Sequence, residues 1–317
     1  MSLHILSLHH LKPAELHLLQ SARPDIIFHA ARPADAAPYL ADTDILLAFE
    51  YVDLAPLLPK MPHLKWVHAL SAGVDRFLTK DTLLHSPVLL TNSRGIHGIP
   101  MAEHVLGIML GISRCLPEAL SQQRAHLWQR RLPTEELYEK TAAIIGLGSI
   151  GHEIAKRLHM MGMKILAVKQ TITPEPYVDQ LFTAKDLLQV LPAADYIIVT
   201  LPLTPATKDL FNYAIFRHMK PTTFFINISR GPVVNSSDIV RALQEHIIRG
   251  AALDVFPQEP LPPESPLWDT PNLFITPHIA AASPQYMTRA LQIFIQNLKN
   301  FPQETAMRNL VDKTRGY

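Results

Sequence analysis

The sequence predicts an α/β protein of two domains, each a mostly parallel sheet flanked by helices. Three observations carry this. At ~150 residues per domain, 317 residues make about two domains. Short apolar runs alternate with helical patterns along nearly the whole chain. Hydrophobic residues make up 48% and charged residues 18%, which supplies packed cores and excludes disorder as the main state.

The first series places strands at Leu3–Leu8, Asp25–His29, Asp44–Phe49, Leu64–Ala69 and Val88–Thr91. Pro13–Ser21 reads as a helix with proline in its first turn. This rhythm over residues 1–95 is flavodoxin-like. Pro100 to Ile112 is a long, almost wholly apolar helix, a composition that implies burial rather than amphipathicity and a bridge between domains. The polar stretch Gln122 to Lys140, with Trp128, Arg130 and Arg131, reads first as a surface loop or helix and second as an arm reaching a partner subunit. The next six strands are expected at Thr141–Ile145, Lys164–Val168, Tyr196–Leu201, Phe224–Ile228, Ala251–Val255 and Leu273–Thr276, a doubly wound dinucleotide-binding pattern. A last helix, Pro284 to Leu298, puts Met287, Leu291, Phe294 and Leu298 on one face and returns the chain to the first domain. The division is therefore 1–95 plus 286–317 for one domain and 96–285 for the other.

Several classes are excluded. A net charge of +1 lacks the basic excess of a nucleic-acid binder. The lone Cys115 excludes a disulfide framework and a Cys-rich zinc site, fits a reducing, cytoplasmic setting, and reads as a packed thiol. No segment reaches the ~18 apolar residues of a membrane span, and the run from Val105 stops at Ser113 and Arg114. The opening MSLHILSLHH has no Lys or Arg before its apolar run, so it is a poor secretory signal. His4, His9, His10 and His17 cluster without carboxylate or Cys partners at ligand spacing, so no metal is expected.

The clearest local signal is Gly146-Leu-Gly148-Ser-Ile-Gly151 between a strand and a helix whose inner side carries Ile150, Ile154, Leu158 and Met161. Gly146 permits the tight turn, Gly148 lets backbone approach a pyrophosphate, and Gly151 lets helix and strand pack closely. Free N–H groups and the dipole at the helix start attract phosphate, with Ser149 and Ile150 alongside. An NAD site normally carries an acid at the end of the second strand, holding the ribose 2′-OH. Here Lys169, Gln170 and Thr171 follow that strand, which favours NADP(H) over NAD(H).

Three downstream segments each end a strand, where open α/β sheets bind ligands. They hold Arg230, then Asp254 and Glu259, then His278. Together with GLGSIG, these segments resemble the D-isomer-specific 2-hydroxyacid dehydrogenases. The resemblance runs through Ser71-Ala-Gly-Val-Asp75, Ala102-Glu-His, Asn227-Ile-Ser-Arg-Gly, Leu253-Asp-Val-Phe, Glu259-Pro-Leu-Pro and Thr276-Pro-His, essentially the whole chain.

The resemblance implies two Rossmann-like domains with the active site in the cleft, the substrate domain being built from both chain ends. It makes His278 the acid/base, Glu259 its partner and Arg230 the substrate-binding cation. Hydride delivery to a 2-keto acid leaves an oxygen needing a proton, which imidazolium can supply near neutral pH. A carboxylate beside the ring holds it, and a guanidinium can pair with the substrate carboxylate and polarise the carbonyl. By the same resemblance Ala72, Gly73 and Val74 cradle that carboxylate, and Phe49 lines the pocket beside Glu50 and Tyr51. Asp254 is placed near the nicotinamide carboxamide, Thr200, Leu201, Pro202 and Thr207 around the adenosine end, and Ile228 and Ser229 against the cofactor. The expected partners are a small 2-keto or 2-hydroxy acid of the glyoxylate or hydroxypyruvate type and a second copy of the chain in a homodimer. The chain closes soon after its last helix, with no appended regulatory domain expected. A dinucleotide-sensing corepressor and a phosphite-type dehydrogenase are the alternatives on this scaffold.

Overall fold

The computed structural model describes residues 2–79 and 82–314. The chain divides into two compact units, Met1–His97 with Ser283–Tyr317, and Gly98–Ala282.

In the first unit, β1 (Leu3–Ser7), β2 (Ile26–Ala30), β3 (Ile45–Ala48), β4 (Trp66–Ala69) and β5 (Leu89–Asn92) form a parallel sheet of order β2-β1-β3-β4-β5. That is the flavodoxin-like order. Alternation sends Ile5, Ile45, Leu47 and Trp66 to one face and Leu6, Leu46, Val67 and Ala69 to the other. The first face is covered by α1 (Pro13–Ala22) and by a helix from the far end of the chain, Tyr286–Asn300, through Leu19, Leu291, Phe294 and Leu298. The remaining crossovers are 3-10 turns, not the helices the rhythm implied: Pro33–Asp35, Ala37–Tyr39, Leu58–Lys60 and Asp75–Phe77. Three of the four have proline in the first turn, which starts such turns but cannot continue as helix interior.

One buried histidine sits in this sheet. His68 on β4 is fully enclosed; its Nδ1 lies 2.8 Å from Thr91 Oγ1 and its Nε2 3.3 Å from Ser93 Oγ. Trp66 Nε1 donates to the same Thr91 hydroxyl at 2.8 Å, and Ser93 Oγ donates to Ala69 O at 3.0 Å. That order leaves Nδ1 as acceptor and puts the proton on Nε2, so every partner is satisfied by the neutral ring. Burial pushes His68 down to about 3. The unfolded chain therefore binds a proton below pH 6.5 that the folded one refuses until about pH 3. The stability from the neutral ring is whole above pH 6.5, is lost as pH falls through this window, and amounts to at most about 5 kcal/mol. Urea unfolding at pH 7.5 and pH 5 is expected to show the loss, with a shallower pH slope in His68→Asn.

In the second unit, β6 (Thr141–Ile145), β7 (Lys164–Val168), β8 (Gln180–Phe182), β9 (Tyr196–Val199), β10 (Phe224–Asn227), β11 (Gly250–Leu253) and β12 (Leu273–Ile275) form a parallel sheet. Its order is β12-β11-β10-β9-β6-β7-β8, so the connections reverse direction between β6 and β9. This is the doubly wound dinucleotide-binding topology with one strand more than the sequence pattern indicated. The extra strand is β8. Ala142, Ile144, Ile165, Ile198 and Ile226 face α2 (Gly98–Ser113) and, beyond the nine-residue α3 (Leu116–Arg124), α4 (Ser149–Met160). Ala143, Ile145, Val168, Ile197 and Phe225 face the opposite way, against α5 (Leu187–Val190), α6 (Tyr213–Phe216) and α7 (Ser236–Gln244).

Helix α2 lies wholly in this unit and packs on α4. It departs from the expectation of all-round burial. Met101, Ala102, Val105, Ile108 and Met109 are buried, whereas Ile99 is exposed and Leu106, Leu110 and Ile112 only partly covered. No single helix among the described residues is long and apolar enough to cross a membrane. The last helix, Tyr286–Asn300, is α8.

Candidate active site

The phosphate cradle forms where β6 turns into α4. Gly146 has φ +106, a left-handed conformation that a side chain would strain. A Cβ at Gly151 would come within 2.6 Å of Gly146 O, so helix and turn touch only because Gly151 lacks a side chain. Thr200, just past β9, donates its hydroxyl to Gly146 O and so ties the two strand ends together. Leu201 packs beside the same turn, and Thr207 donates to Pro202 O at 2.7 Å, closing the 202–207 loop on itself. A Cβ at Gly148 would meet nothing within 4 Å, so the space before the first turn of α4, at Ser149 and Ile150, is open. This chain's residues fit a dinucleotide pyrophosphate there.

Lys169 leaves the end of β7, but its environment differs from the bare cation the sequence indicated. Its ammonium contacts the Glu175 carboxylate and lies 3.1 Å from Thr173 Oγ1. The Lys169 hydrogen bond holds the Glu175 carboxyl below the usual carboxylate range.

The chemistry-bearing side chains gather past β10, β11 and β12. Asn227 ends β10, fully buried. Its Oδ1 accepts from Ser229 N (3.0 Å) and Ser229 Oγ (2.7 Å), and its Nδ2 donates to Arg230 O (3.2 Å). That clamp fixes the turn presenting Arg230, whose Nη1 donates to Ser229 O at 3.0 Å. Ile228 and Ser229 are buried.

Asp254, 2% exposed, performs the matching task past β11. Its carboxylate accepts from Thr276 Oγ1 (2.6 Å), Ile279 N (2.9 Å) and Ala280 N (3.0 Å), and its carbonyl from His278 N (2.9 Å). These bonds hold His278 at φ +55, an uncommon conformation for a residue with a side chain. The ring then meets Glu259: Nδ1 to Oε2 is 2.7 Å, while Glu259 Oε1 accepts from Phe256 N at 2.9 Å. With both carboxylate oxygens accepting, Nδ1 carries a proton and Nε2 is the ring atom turned to other business. His104 of α2 joins the far side, 3.3 Å from Thr276 Oγ1 and 3.8 Å from Asp254 Oδ1. Burial pushes His104 below the usual imidazole range, with Asp254 pulling the other way. The sequence marks Asn227 and His104 only as parts of motifs; Asn227 bonds within its own turn, whereas the contacts of His104 to Thr276 and Asp254 span too much chain for a local pattern.

In the first unit, Ser71 Oγ donates to Gly73 O (2.9 Å) and accepts from Glu50 N (3.3 Å), and Asn92 Nδ2 donates to Ala72 O (2.8 Å). The Ala72–Val74 turn is thereby pinned, with Val74 buried. Phe49 stacks on Tyr51 (5.3 Å between centroids) and lies 5.9 Å from Tyr286. His97 is buried, 3.0 Å from Tyr286 OH. Cys115 is buried at the start of α3, and burial raises its thiol. No metal-binding cluster of three or more His, Cys, Asp or Glu occurs among the described residues.

Residues 106–280 match the family model of the D-isomer specific 2-hydroxyacid dehydrogenase NAD binding domain. The chain belongs to the D-isomer-specific 2-hydroxyacid dehydrogenase family. Among relatives of this family, glyoxylate/hydroxypyruvate reductase B of Citrobacter koseri is 32% identical over 288 residues, 87% of this chain and 86% of that one. A D-isomer-specific 2-hydroxyacid dehydrogenase family protein from Aeromonas salmonicida superposes with a TM-score of 0.92 at 35% identity, covering 99% of this chain and 100% of the other. The NADPH-dependent glyoxylate/hydroxypyruvate reductase of Sinorhizobium meliloti, solved with NADP and sulfate, gives 0.85 at 30% identity, again covering 99% and 100%. The NAD-binding region thus coincides with the glycine cradle and the three strand ends.

Proposed function

We propose that this dehydrogenase reduces a small 2-keto acid of the glyoxylate or hydroxypyruvate type to its D-2-hydroxy acid with NADPH in preference to NADH. The observation that carries this is the His278–Glu259 pair, 2.7 Å apart on a turn that Asp254 holds rigid. The names of the relatives support the substrate type, and the NADP-bound reductase supports the cofactor. They favour neither a corepressor nor a phosphite dehydrogenase.

Reduced nicotinamide, when bound, supplies the hydride. Gly146, Gly148 and Gly151 make room for the phosphates, which Ser149 and Ile150 receive on backbone N–H groups at the start of α4. Thr200, Leu201, Pro202 and Thr207 border the adenosine end, Lys169 the ribose 2′-phosphate, and Ile228, Ser229 and Asp254 the nicotinamide end. Arg230 pairs with the substrate carboxylate and draws electrons from the keto oxygen. Ala72, Gly73 and Val74 offer backbone N–H groups to the same carboxylate, and Phe49 bounds the substrate's tail. His278 Nε2 gives its proton to the oxygen that becomes the hydroxyl; Glu259, bound to Nδ1, keeps the ring in place and balances its charge. In the oxidative direction the same nitrogen takes the proton back.

The chain is inferred to work as a cytoplasmic homodimer. Partly covered Leu106, Leu110 and Ile112, with exposed Leu116, Leu120, Leu127 and Trp128, supply apolar surface suited to a second copy. The test is absorbance at 340 nm with a panel of 2-keto acids, NADH and NADPH side by side. Consumption of NADPH with glyoxylate or hydroxypyruvate is expected. Turnover with none of them, or equal use of both cofactors, overturns the corresponding half of the reading.

A further inference from the structure

The loop after β7 runs Lys169-Gln-Thr-Ile-Thr-Pro-Glu-Pro-Tyr177. Both of its ends are fixed. Lys169 N donates to Phe182 O at 2.9 Å, and Asp179 exchanges bonds with Ile165, N to O at 2.9 Å and Oδ2 from N at 2.7 Å. Between them Gln170 to Pro174 are all exposed, with Ile172 at 56%. Glu175 is turned inward instead, its side chain 16% exposed. Pro174 and Pro176 flank it, so its backbone has little freedom to lose. Its Oε1 meets the Lys169 ammonium, and its Oε2 lies 3.4 Å from Nδ1 of His152, in the first turns of α4. Tyr177 adds an edge contact to His152, 6.4 Å between ring centroids.

A carboxylate thus bridges the cation past β7 and a histidine of the phosphate-binding helix. In a doubly wound dinucleotide fold that locus borders the adenosine ribose. We propose that Glu175 is a specificity-determining residue that competes, as an internal anion, with the ribose 2′-phosphate for Lys169. This rests on the reading that Lys169 receives the 2′-phosphate. A 2′-hydroxyl can donate to the carboxylate while Lys169 stays paired, whereas a 2′-phosphate must displace it and leave Glu175 to solvent. Glu175 therefore narrows the preference for NADPH and keeps NADH usable. The strand-end acid of NAD enzymes is replaced by one that arrives six residues later on a stiff loop.

Glu175→Gln tests this, because the amide keeps the size and can still accept from Lys169 but carries no charge. Calorimetry with 2′,5′-ADP and with 5′-ADP reads the locus without turnover. Glu175→Gln is expected to tighten 2′,5′-ADP by roughly threefold to tenfold and to shift 5′-ADP by less than about twofold. In a Lys169→Ala background the gain is expected to vanish. If Lys169→Ala weakens 2′,5′-ADP but Glu175→Gln changes nothing, Glu175 is no competitor and only the proposal falls. If Lys169→Ala leaves 2′,5′-ADP unaffected, the reading of Lys169 falls with it. Equal tightening of both ligands, or a gain that persists without Lys169, also overturns the competition.

Discussion

Replacing His278 by alanine is expected to lower kcat by roughly 10²–10⁴, the usual worth of a positioned acid/base, while the dissociation constant for NADPH stays within about twofold of wild type. The split follows from geometry. The cradle at Gly146–Gly151 is built from a different strand and shares no hydrogen bond with the imidazole. The ring is half exposed, so its removal opens no core cavity. The Asp254 clamp acts on backbone groups of 278–280, which alanine keeps. The left-handed φ at that position is already borne by histidine, so alanine adds little strain. Glu259→Gln sharpens the test. Its Oε1 can still accept from Phe256 N, but an amide NH₂ would then face Nδ1, a donor against a donor. The ring must turn or change tautomer, so kcat is expected to fall although nothing touching substrate has been removed. Cofactor fluorescence titration and stopped-flow turnover measure both quantities. Near-wild-type kcat in His278→Ala removes the imidazole from proton transfer.

The sequence is most informative where local geometry dictates residue type. The bounds of β6 and β7 coincide with the apolar runs Thr141–Ile145 and Lys164–Val168, because strands buried on both faces read as continuous apolar stretches. The cradle was legible because a phosphate turn demands missing side chains at set spacing. β8 was not, being three residues at the sheet edge with an exposed Gln180 at its start. The helix expected to be apolar all round buries one face, since composition alone does not say which side meets the sheet. Glu175 is not legible in the dinucleotide pattern, which places its acid at the strand end, whereas a Pro-bracketed loop delivers the charge later. Asn227 is legible as a motif letter only; the clamp of Asp254 joins strand ends that the parallel topology, not the chain order, makes neighbours.

Gly231→Ala is expected to cost the second unit about 3 kcal/mol or more, beyond the usual overpacking range of 1–3 kcal/mol, because the obstacle is backbone. A Cβ there would lie 1.9 Å from the Phe256 carbonyl carbon and 2.3 Å from both Phe256 O and Pro257 N. A clashing side chain could change rotamer; a peptide unit between a buried Phe256 and a proline cannot. Relief requires the two strand-end loops to part, and those loops carry Arg230 on one side and the Phe256–Glu259 turn on the other. Parting them strains the 2.9 Å bond from Phe256 N to Glu259 and, through it, the contact to His278. The substitution should therefore lower stability and kcat together, with Tm down by roughly 6–12 °C at 2–4 °C per kcal/mol for a domain of this size. Gly148→Ala supplies the contrast. Its Cβ meets nothing within 4 Å, so Tm is expected to hold while affinity for the dinucleotide drops. Thermal unfolding followed by circular dichroism, with kcat on the folded fraction, distinguishes the two glycines. A Gly231→Ala protein with wild-type Tm and kcat would mean that the Arg230 and Glu259 loops do not approach as closely as backbone contact.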